Sequence, residues 1–376
     1  AVGTFQAGKL PDGTQCPEGS LDPVNAFSQA LDATLLPGDA EAPGIWDLIA
    51  GPIHWALQAA GMAPAAGAAL APEVVLCLPA DLAMLPIHAA RDPATGRPFH
   101  EDYASRLVPS LGALITAAAR ARRPVKPNVL TVTDPLDDLG IGAHPAAELF
   151  PADARTELAG YGGNPARPNI ATWPGLAAAV EQSQPGFLAY FGHSHWDRRD
   201  GEGSGLVLAP ELDAEGKIPG MKDLATPARI RGLALSSTRL VFSASCGGAG
   251  LSLVVAKDEL GGLPSAWLEA GAAGMISSLY SVLTGPAEDI MKTTFAAMLG
   301  ESLAPVQALR RAQMALARAF EPAPDPAPAE VPISNPFLDA SRTSGPPVTA
   351  RTPRRSNLHL NLHPTANIAA FVMFGA

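Results

Sequence analysis

The stretch that decides the fold is "LVFSASCGGAG", residues 240 to 250. Apolar and small residues lead to one cysteine, Cys246, and glycines follow it at positions 247, 248 and 250. An apolar run ended by a glycine-rich turn predicts a buried strand that stops just before the cysteine. The sulfur at such a strand end either packs in the core, as cysteine commonly does, or lies in a cleft as a nucleophile.

Short apolar runs of the same kind alternate with helical patterns along most of the chain. Strands are predicted at the start of 72–90 and within 128–135, 186–197, 204–210, 238–245, 273–282 and 367–375. Helices are predicted in 45–61, 110–123, 173–183, 263–272, 286–299 and 302–320, with a partly helical connector at 228–235. This alternation predicts an α/β fold, a mostly parallel sheet with helices on both faces.

The predicted domain organisation has two parts. Residues 1–70 form an irregular and helical segment packed on the core, and residues 71–376 form the α/β domain. Within that domain, 321–357 is rich in Pro and polar residues, which predicts a flexible insertion. The apolar run at 367–375 then returns the chain to the sheet.

Composition excludes several classes of protein. The chain has 376 residues, 47% hydrophobic and 16% charged, with a formal net charge of -10. This acidic balance, without a long basic block, disfavours nucleic acid and anionic membranes as partners. Three cysteines without CxxC spacing argue against a disulfide framework or a structural zinc cluster, so we expect a cytoplasmic protein. No apolar run reaches the length of a membrane span, and no signal peptide is recognisable.

Two of the predicted strands deliver residues that can perform chemistry. One ends in "FGHSHWD", which contains His193, and the other ends at Cys246. A cysteine thiolate attacks carbonyls, and a nearby imidazole favours the thiolate and can protonate a leaving amine. Cys246 follows His193 by 53 residues, close to the spacing of about 50 typical of caspases. The glycines after Cys246 fit a tight turn whose backbone N–H can donate to an oxyanion.

These segments resemble the CHAT domain family, caspase-like cysteine peptidases related to separases. "FLAYFGHSHWDRRDGEGSGLVLAP" is similar to the family's His segment, and "LVFSASCGGAG" resembles its Cys segment. "LPSAWLEAGAAGMISSLYSV", "LAPVQALRRAQMAL" and "NIAAFVMFG" resemble the segments that follow in the family. With upstream matches, the resemblance covers about residues 45–376.

The resemblance implies a caspase-like three-layer sandwich and a cysteine endopeptidase without a cofactor. It places the catalytic dyad on His193 and Cys246, and the oxyanion hole on the backbone N–H groups of Ser194 and Cys246. Ser194 stands where the family usually has Gly, and Gly247 and Gly248 replace a common Glu-Thr. The family implies a protein substrate, a sensor or regulatory partner, and a role in bacterial defence or cell death that includes cleavage of gasdermin-like pore formers.

Substrate-binding residues are predicted around this dyad. Tyr280 stands where the family often has Trp, on a strand that borders the substrate cleft, so we expect Tyr280 and the nearby Ser278 to contact substrate. Asp197 could bind a basic side chain, although acidic loop residues are usually only solvated. Asp134, at a strand end, is interpreted as a turn cap rather than a catalytic acid.

Alternative interpretations remain open. "HSHWD" fits an HxHxD zinc-hydrolase pattern with His193, His195 and Asp197 as ligands, although Arg198 stands where that pattern usually continues with another His. A CHAT-like module without catalytic activity could use the same sheet only to bind a partner, and Ser194 favours that hypothesis. Cys77 is predicted to lie inside an apolar strand and is interpreted as structural.

A final hypothesis concerns the long insertion. Its segment "TARTPRRSN" places Arg351, Arg354 and Arg355 in a Pro-rich region, between the last helices and the closing strand. Caspase relatives can be cut at such a place during activation, so these arginines mark a candidate self-cleavage region, although basic loops are often plain linkers.

Overall fold

The computed structural model describes residues 44–62, 70–78, 80–196, 201–218, 223–249, 261–319 and 370–376. The predicted insertion at 321–357 lies outside these ranges, as does most of the predicted N-terminal segment 1–70.

An eight-stranded sheet forms the centre of the fold. In chain order the strands of the molecule are β1 Glu73–Leu76, β2 Ala104–Leu107, β3 Val129–Thr133, β4 Arg155–Ala159, β5 Phe187–Phe191, β6 Ser194–His195, β7 Gly205–Leu208, β8 Asp223–Ala225, β9 Leu240–Ala244, β10 Gly274–Ser278 and β11 Phe371–Gly375. The order across the large sheet is β1-β2-β11-β10-β9-β5-β3-β4. Strands β6, β7 and β8 form a small antiparallel sheet beside it.

Strand direction changes once across the large sheet. Strands β10, β9, β5, β3 and β4 are parallel to one another. β11 pairs antiparallel with β10 and parallel with β2, which is itself parallel to β1. The five strands β3, β5, β9, β10 and β11 are buried along their whole length, as expected for apolar strands covered on both faces.

Helices cover the sheet on both sides. They are α1 Gly51–Ala59, α2 Ala80–Ala83, α3 Phe99–Asp102, α4 Leu111–Ala121, α5 Trp173–Ser183, α6 Pro227–Arg231, α7 Leu263–Glu269, α8 Thr284–Gly300 and α9 Pro305–Ala319. A π-helical turn, Trp46–Ala50, precedes α1. Helices α8 and α9 pack together over β9, β11 and β2, while α4 and α7 contact β11 and β10 and α5 contacts β3 and β4. The architecture is a three-layer α/β sandwich.

Aromatic side chains fill the space between α8 and the sheet. Phe295 of α8 is fully buried, and its ring centroid lies 5.9 to 6.0 Å from those of Phe150, Phe187 and Phe242. Each buried Phe stabilises the folded state by roughly 1.5–3 kcal/mol through removal of its surface from water. This cluster fixes β5 and β9 side by side, and these strands carry the candidate catalytic residues.

The predicted strands and helices are confirmed, but five short elements were not predicted: helices α2 and α3 and strands β2, β4 and β8. The structure adds the short strands β2, β4 and β8, which contain polar residues and escaped the search for apolar runs. Cys77 was placed inside a strand, which is wrong: it follows the last residue of β1 and is exposed. In the described part of the chain, no helix is long and apolar enough to cross a membrane.

Candidate active site

Three neighbouring strands end at the same level of the sheet. Thr133, the last residue of β3, pairs with Phe191, the last residue of β5, and Phe191 pairs with Ala244, the last residue of β9. His193 and Cys246 each come two residues beyond this level. The two predicted catalytic residues therefore leave adjacent parallel strands at the same edge, where α/β folds place their functional residues.

The backbone at His193 is held by a buried tyrosine. The Tyr190 hydroxyl lies 2.6 Å from the carbonyl oxygen of His193 and 2.7 Å from that of Val207, and its one proton is shared between these two acceptors. Burial raises the pKa of Tyr190 well above its usual value, so the hydroxyl stays protonated as a donor. Gly192 is needed beside it, because a Cβ there would lie 2.7 Å from the tyrosine oxygen.

The His193 side chain contacts a carboxylate that follows β3. Its Nε2 lies 3.1 Å from Oδ1 of Asp138, and the two side chains are 40% and 50% exposed. When Nε2–H donates to this carboxylate, Nδ1 is the nitrogen left to exchange a proton with other groups. No sequence pattern pointed to a role for Asp138.

A tight turn places Asp138 beside the imidazole. Asp134 is buried with φ 40°, and its carboxylate accepts from the backbone N–H of Asp138 at 3.2 Å and of Leu139 at 2.9 Å. The interpretation of Asp134 as a turn cap is confirmed. The same turn directs Asp138 toward the end of the neighbouring strand β5.

Cys246 lies at the surface, on a turn with several backbone hydrogen bonds. The cysteine is exposed, and its thiol donates to the carbonyl of Val282 across 3.6 Å. Gly247 adopts φ 66°, which favours glycine, and its N–H donates to the carbonyl of Tyr280 at 3.0 Å and to Oγ of Ser278 at 3.1 Å. A side chain at Gly248 would lie 2.7 Å from Oγ of Ser277, so both glycines are required by the turn.

Ser194, which differs from the usual glycine, fits without backbone strain. It lies in β6 and is not among the residues with positive φ. Its hydroxyl donates to the carbonyl of Cys246, which joins the turn after β5 to the turn after β9. The carbonyl of His193 accepts from Val207 N–H at 2.9 Å. The Ser194 N–H belongs to the same trans peptide as this carbonyl, so it points away from β7.

The thiol and the imidazole share one edge of the sheet, but no hydrogen bond joins them among the residues that the structure describes. The thiol bonds Val282, and the imidazole contacts Asp138. Catalytic hydrogen bonds are often long before substrate binds, so this geometry is compatible with a dyad.

The other predicted site residues fall in three groups. Ser278, expected to contact substrate, is fully buried and bonds the turn that carries Cys246, so it cannot line an open cleft. Tyr280 is 8% exposed, and its carbonyl supports the same turn. Asp197 and the candidate self-cleavage residues lie outside the described residues; the latter are Arg351, Arg354 and Arg355.

The geometry of the same residues bears on the zinc hypothesis. Within the described ranges no cluster of three or more His, Cys, Asp or Glu side chains is placed to hold a metal ion. His195 is exposed in β6, while Asp197, the third proposed ligand, lies outside those ranges.

Comparisons with known proteins point to one family. The sequence profile of the CHAT domain matches residues 42–376. No curated protein sequence gave a significant match.

Among solved structures, separase of Saccharomyces cerevisiae in its complex with securin has a TM-score of 0.45 at 13% identity, over 81% of this chain and 15% of separase. The Arg-specific cysteine proteinase gingipain R (RGPB) has a TM-score of 0.39 at 10% identity, over 73% of this chain and 55% of that one. The pro- and mature domains of RgpB from Porphyromonas gingivalis give 0.43 at 10% identity, over 81% and 64%. This chain thus spans a small part of separase and less than two thirds of the gingipain chains.

Proposed function

Because this chain belongs to the CHAT domain family and has the caspase-like fold, we propose that it is a cysteine endopeptidase with a His193/Cys246 dyad. The observation that supports this most directly is the shared level of β5 and β9, which sets an exposed thiol and an exposed imidazole at one sheet edge.

In the proposed reaction Cys246 acts as the nucleophile. Its thiolate attacks the scissile carbonyl and forms a tetrahedral oxyanion, which collapses to a thioester as the C–N bond breaks. His193 gives its proton to the departing amine. The imidazole then takes a proton from water and the hydroxide attacks the thioester. The C–S bond breaks, which releases a carboxylic acid that loses its proton to solvent and restores the Cys246 thiolate beside the protonated His193.

The backbone N–H groups of Ser194 and Cys246 are the proposed oxyanion donors. In the described part of the chain neither group has a hydrogen-bond acceptor, whereas the N–H groups of Gly247, Gly248 and Ala249 all have one. Unpaired amides at the nucleophile are what an oxyanion hole needs, because the developing negative charge becomes their acceptor.

Asp138 has a supporting role in this proposal. Its carboxylate accepts from Nε2–H of His193, which fixes the ring orientation and the tautomer. Since both side chains are well exposed, water competes for this contact and moderates its strength.

The proposed substrate is a protein, and a sensor or regulatory protein is the proposed partner. The family resemblance supports a regulated role in bacterial defence or cell death, with a gasdermin-like pore former as a candidate substrate. Tyr280 and Asp197 are the proposed contacts to substrate side chains. Processing of the chain itself at Arg351, Arg354 or Arg355 is a proposed route of activation.

A proteome-derived peptide library tests the proposal. We expect purified wild-type protein to cut peptides at a consistent residue preference, as mapped by mass spectrometry, while Cys246→Ala and His193→Ala variants leave the library intact. Intact-mass measurement of the same samples reports any cut near Arg351. A folded wild-type protein that neither cleaves peptides nor reacts at Cys246 with peptidyl electrophiles would support the non-catalytic binding module instead. Activity lost with chelators and kept in Cys246→Ala would support the zinc hydrolase.

A further inference from the structure

Two buried hydroxyl groups lie behind the proposed oxyanion hole. Tyr190 is 1% exposed and Ser278 is 0% exposed, so neither side chain can contact a substrate. Each hydroxyl bonds a carbonyl of the backbone that carries a proposed catalytic residue.

Ser278 helps to set the direction of the Cys246 amide. Its hydroxyl donates to the carbonyl of Ser245, which precedes the nucleophile. This carbonyl also accepts from the Gly248 N–H, across a longer distance of 3.3 Å. In a trans peptide the C=O and the following N–H point in opposite directions. With the Ser245 carbonyl held against the buried Ser278, the Cys246 N–H is directed away from that buried side.

Ser278 also holds the next peptide. Its oxygen accepts from the Gly247 N–H at 3.1 Å, and its own backbone carbonyl accepts from Ala249 N–H at 2.8 Å. Rotation of the Cys246 amide would therefore break bonds on both sides of the nucleophile.

Tyr190 holds the corresponding peptide next to His193. Its hydroxyl bonds the carbonyl of His193, which also accepts from Val207 N–H at 2.9 Å. That carbonyl and the Ser194 N–H belong to one peptide. The two hydrogen bonds to the carbonyl therefore set the direction of the Ser194 N–H, the second proposed oxyanion donor.

We infer that Ser278 and Tyr190 are positioning residues that aim the two oxyanion amides, Cys246 N–H and Ser194 N–H. The inference rests on the proposed peptidase function and extends it to residues that never touch substrate. An oxyanion hole is effective when its donors are fixed before charge develops, because they then need no reorganisation in the transition state. Substrate binding in the ground state depends much less on this alignment.

The chain offers a matched control for each residue. Ser277 is the neighbour of Ser278, is equally buried, and donates to the carbonyl of Ser243 at 3.4 Å, inside β9. Tyr161 is 6% exposed and donates to the carbonyl of Pro210 at 3.0 Å. Ser277→Ala and Tyr161→Phe remove the same kinds of hydrogen bond without releasing either oxyanion peptide.

The test compares steady-state kinetics on a fluorogenic peptide chosen from the wild-type cleavage profile. We expect Ser278→Ala to lower kcat by about tenfold to a hundredfold, less than full loss of an oxyanion donor, which costs roughly 10²–10³. We expect Tyr190→Phe to lower kcat by about threefold to tenfold, because Val207 still holds the His193 carbonyl. KM and the rate of Cys246 alkylation by iodoacetamide should stay within about threefold of wild type, while a peptide aldehyde of the same sequence binds more weakly.

Several results would overturn the inference. One is a folded Ser278→Ala variant with wild-type kcat; another is a Ser277→Ala control that loses as much activity as Ser278→Ala. If Ser278→Ala does not fold, Tyr190→Phe and the near-isosteric Ser278→Cys replace it, and unchanged kcat in both contradicts the proposal. A wild-type protein without peptidase activity would instead overturn the proposed function, and this inference with it.

Discussion

Histidine occupies two contrasting environments in this molecule. At the sheet edge the His193 side chain is 40% exposed and contacts an exposed carboxylate. His100, near the opposite end of the sheet, and His144, behind β5, are each only 3% exposed.

Burial lowers the pKa values of the two buried histidines, His100 and His144. It lowers the pKa of His100 to about 4 and that of His144 to about 3. Both are neutral at pH 7 and bond the backbone: Nδ1–H of His100 donates to the carbonyl of His88 at 3.0 Å, and Nδ1 of His144 accepts from Ala146 N–H at 3.1 Å. Burial thus keeps His100 and His144 away from solvent, whereas the side chain of His193, just beyond the end of β5, is open to it.

The largest expected effect comes from removal of the Asp138 carboxylate, which contacts the exposed His193. Asp138→Asn keeps the shape but replaces the carboxylate that accepts from Nε2–H of His193, so the ring orientation and the tautomer are no longer fixed. We expect kcat to fall about tenfold to a hundredfold, as a lost contribution to proton transfer predicts, measured on the fluorogenic peptide at pH 7. Asp137→Asn in the same turn is the control: its carboxylate accepts from Gly162 N–H at 2.6 Å, so this variant should stay within about threefold of wild-type kcat. Equal losses in both variants would argue against a specific role for Asp138.

The buried histidines should make stability depend on pH. Their folded-state pKa values lie below the unfolded value of about 6.5, so the unfolded chain binds more protons between about pH 6.5 and pH 4. The free energy of unfolding should therefore fall with falling pH in this window, by up to about 1.4 kcal/mol per pH unit for each histidine. Urea denaturation at pH 7, 6 and 5 measures the slope. His144→Asn should reduce the slope, whereas replacement of the exposed His195 by Asn should not. An unchanged slope in His144→Asn would contradict the attribution of the pH dependence to the buried histidines.

The smallest expected effect concerns the bond between the two turns. Ser194→Ala removes the hydroxyl that donates to the Cys246 carbonyl. The backbone N–H remains, so we expect kcat to fall only about threefold, the value of one ordinary hydrogen bond. Ser194→Thr keeps the hydroxyl and should retain more activity than Ser194→Ala in the same assay. A Thr variant as slow as the Ala variant would show that the hydroxyl does not act through this bond.

Sequence patterns predicted the fold well where burial dominates. The runs that became β3, β5, β9, β10 and β11 are apolar because both of their faces are covered, so they stand out in the sequence. β4 is "RTELA" at the open edge of the sheet, and β2 is "ASRL" with two half-buried residues. Neither strand is a continuous apolar run, because its polar side chains are only partly buried.

The candidate site was predictable in part. His193 and Cys246 follow apolar strands and lie in segments that resemble a known family. Asp138 could not be found in this way, because its place beside His193 depends on β3 being the neighbour of β5, and the order of strands is a tertiary property. The prediction that Ser278 contacts substrate was wrong because the sequence shows that its strand borders the site but not which side chains of that strand face inward.

The position of β11 has a consequence for how the protein is made. This strand, formed by residues 371 to 375, lies inside the sheet between β2 and β10. Its Phe374 pairs with Leu107 of β2, and its Phe371 pairs with Ser278 of β10. During synthesis on the ribosome, β2 and β10 must wait with unpaired edges until residue 375 has emerged. Strand β10 supports the turn that carries Cys246, and its partner β11 is thus among the last parts to form. A nascent or truncated chain is therefore expected to lack an assembled active site.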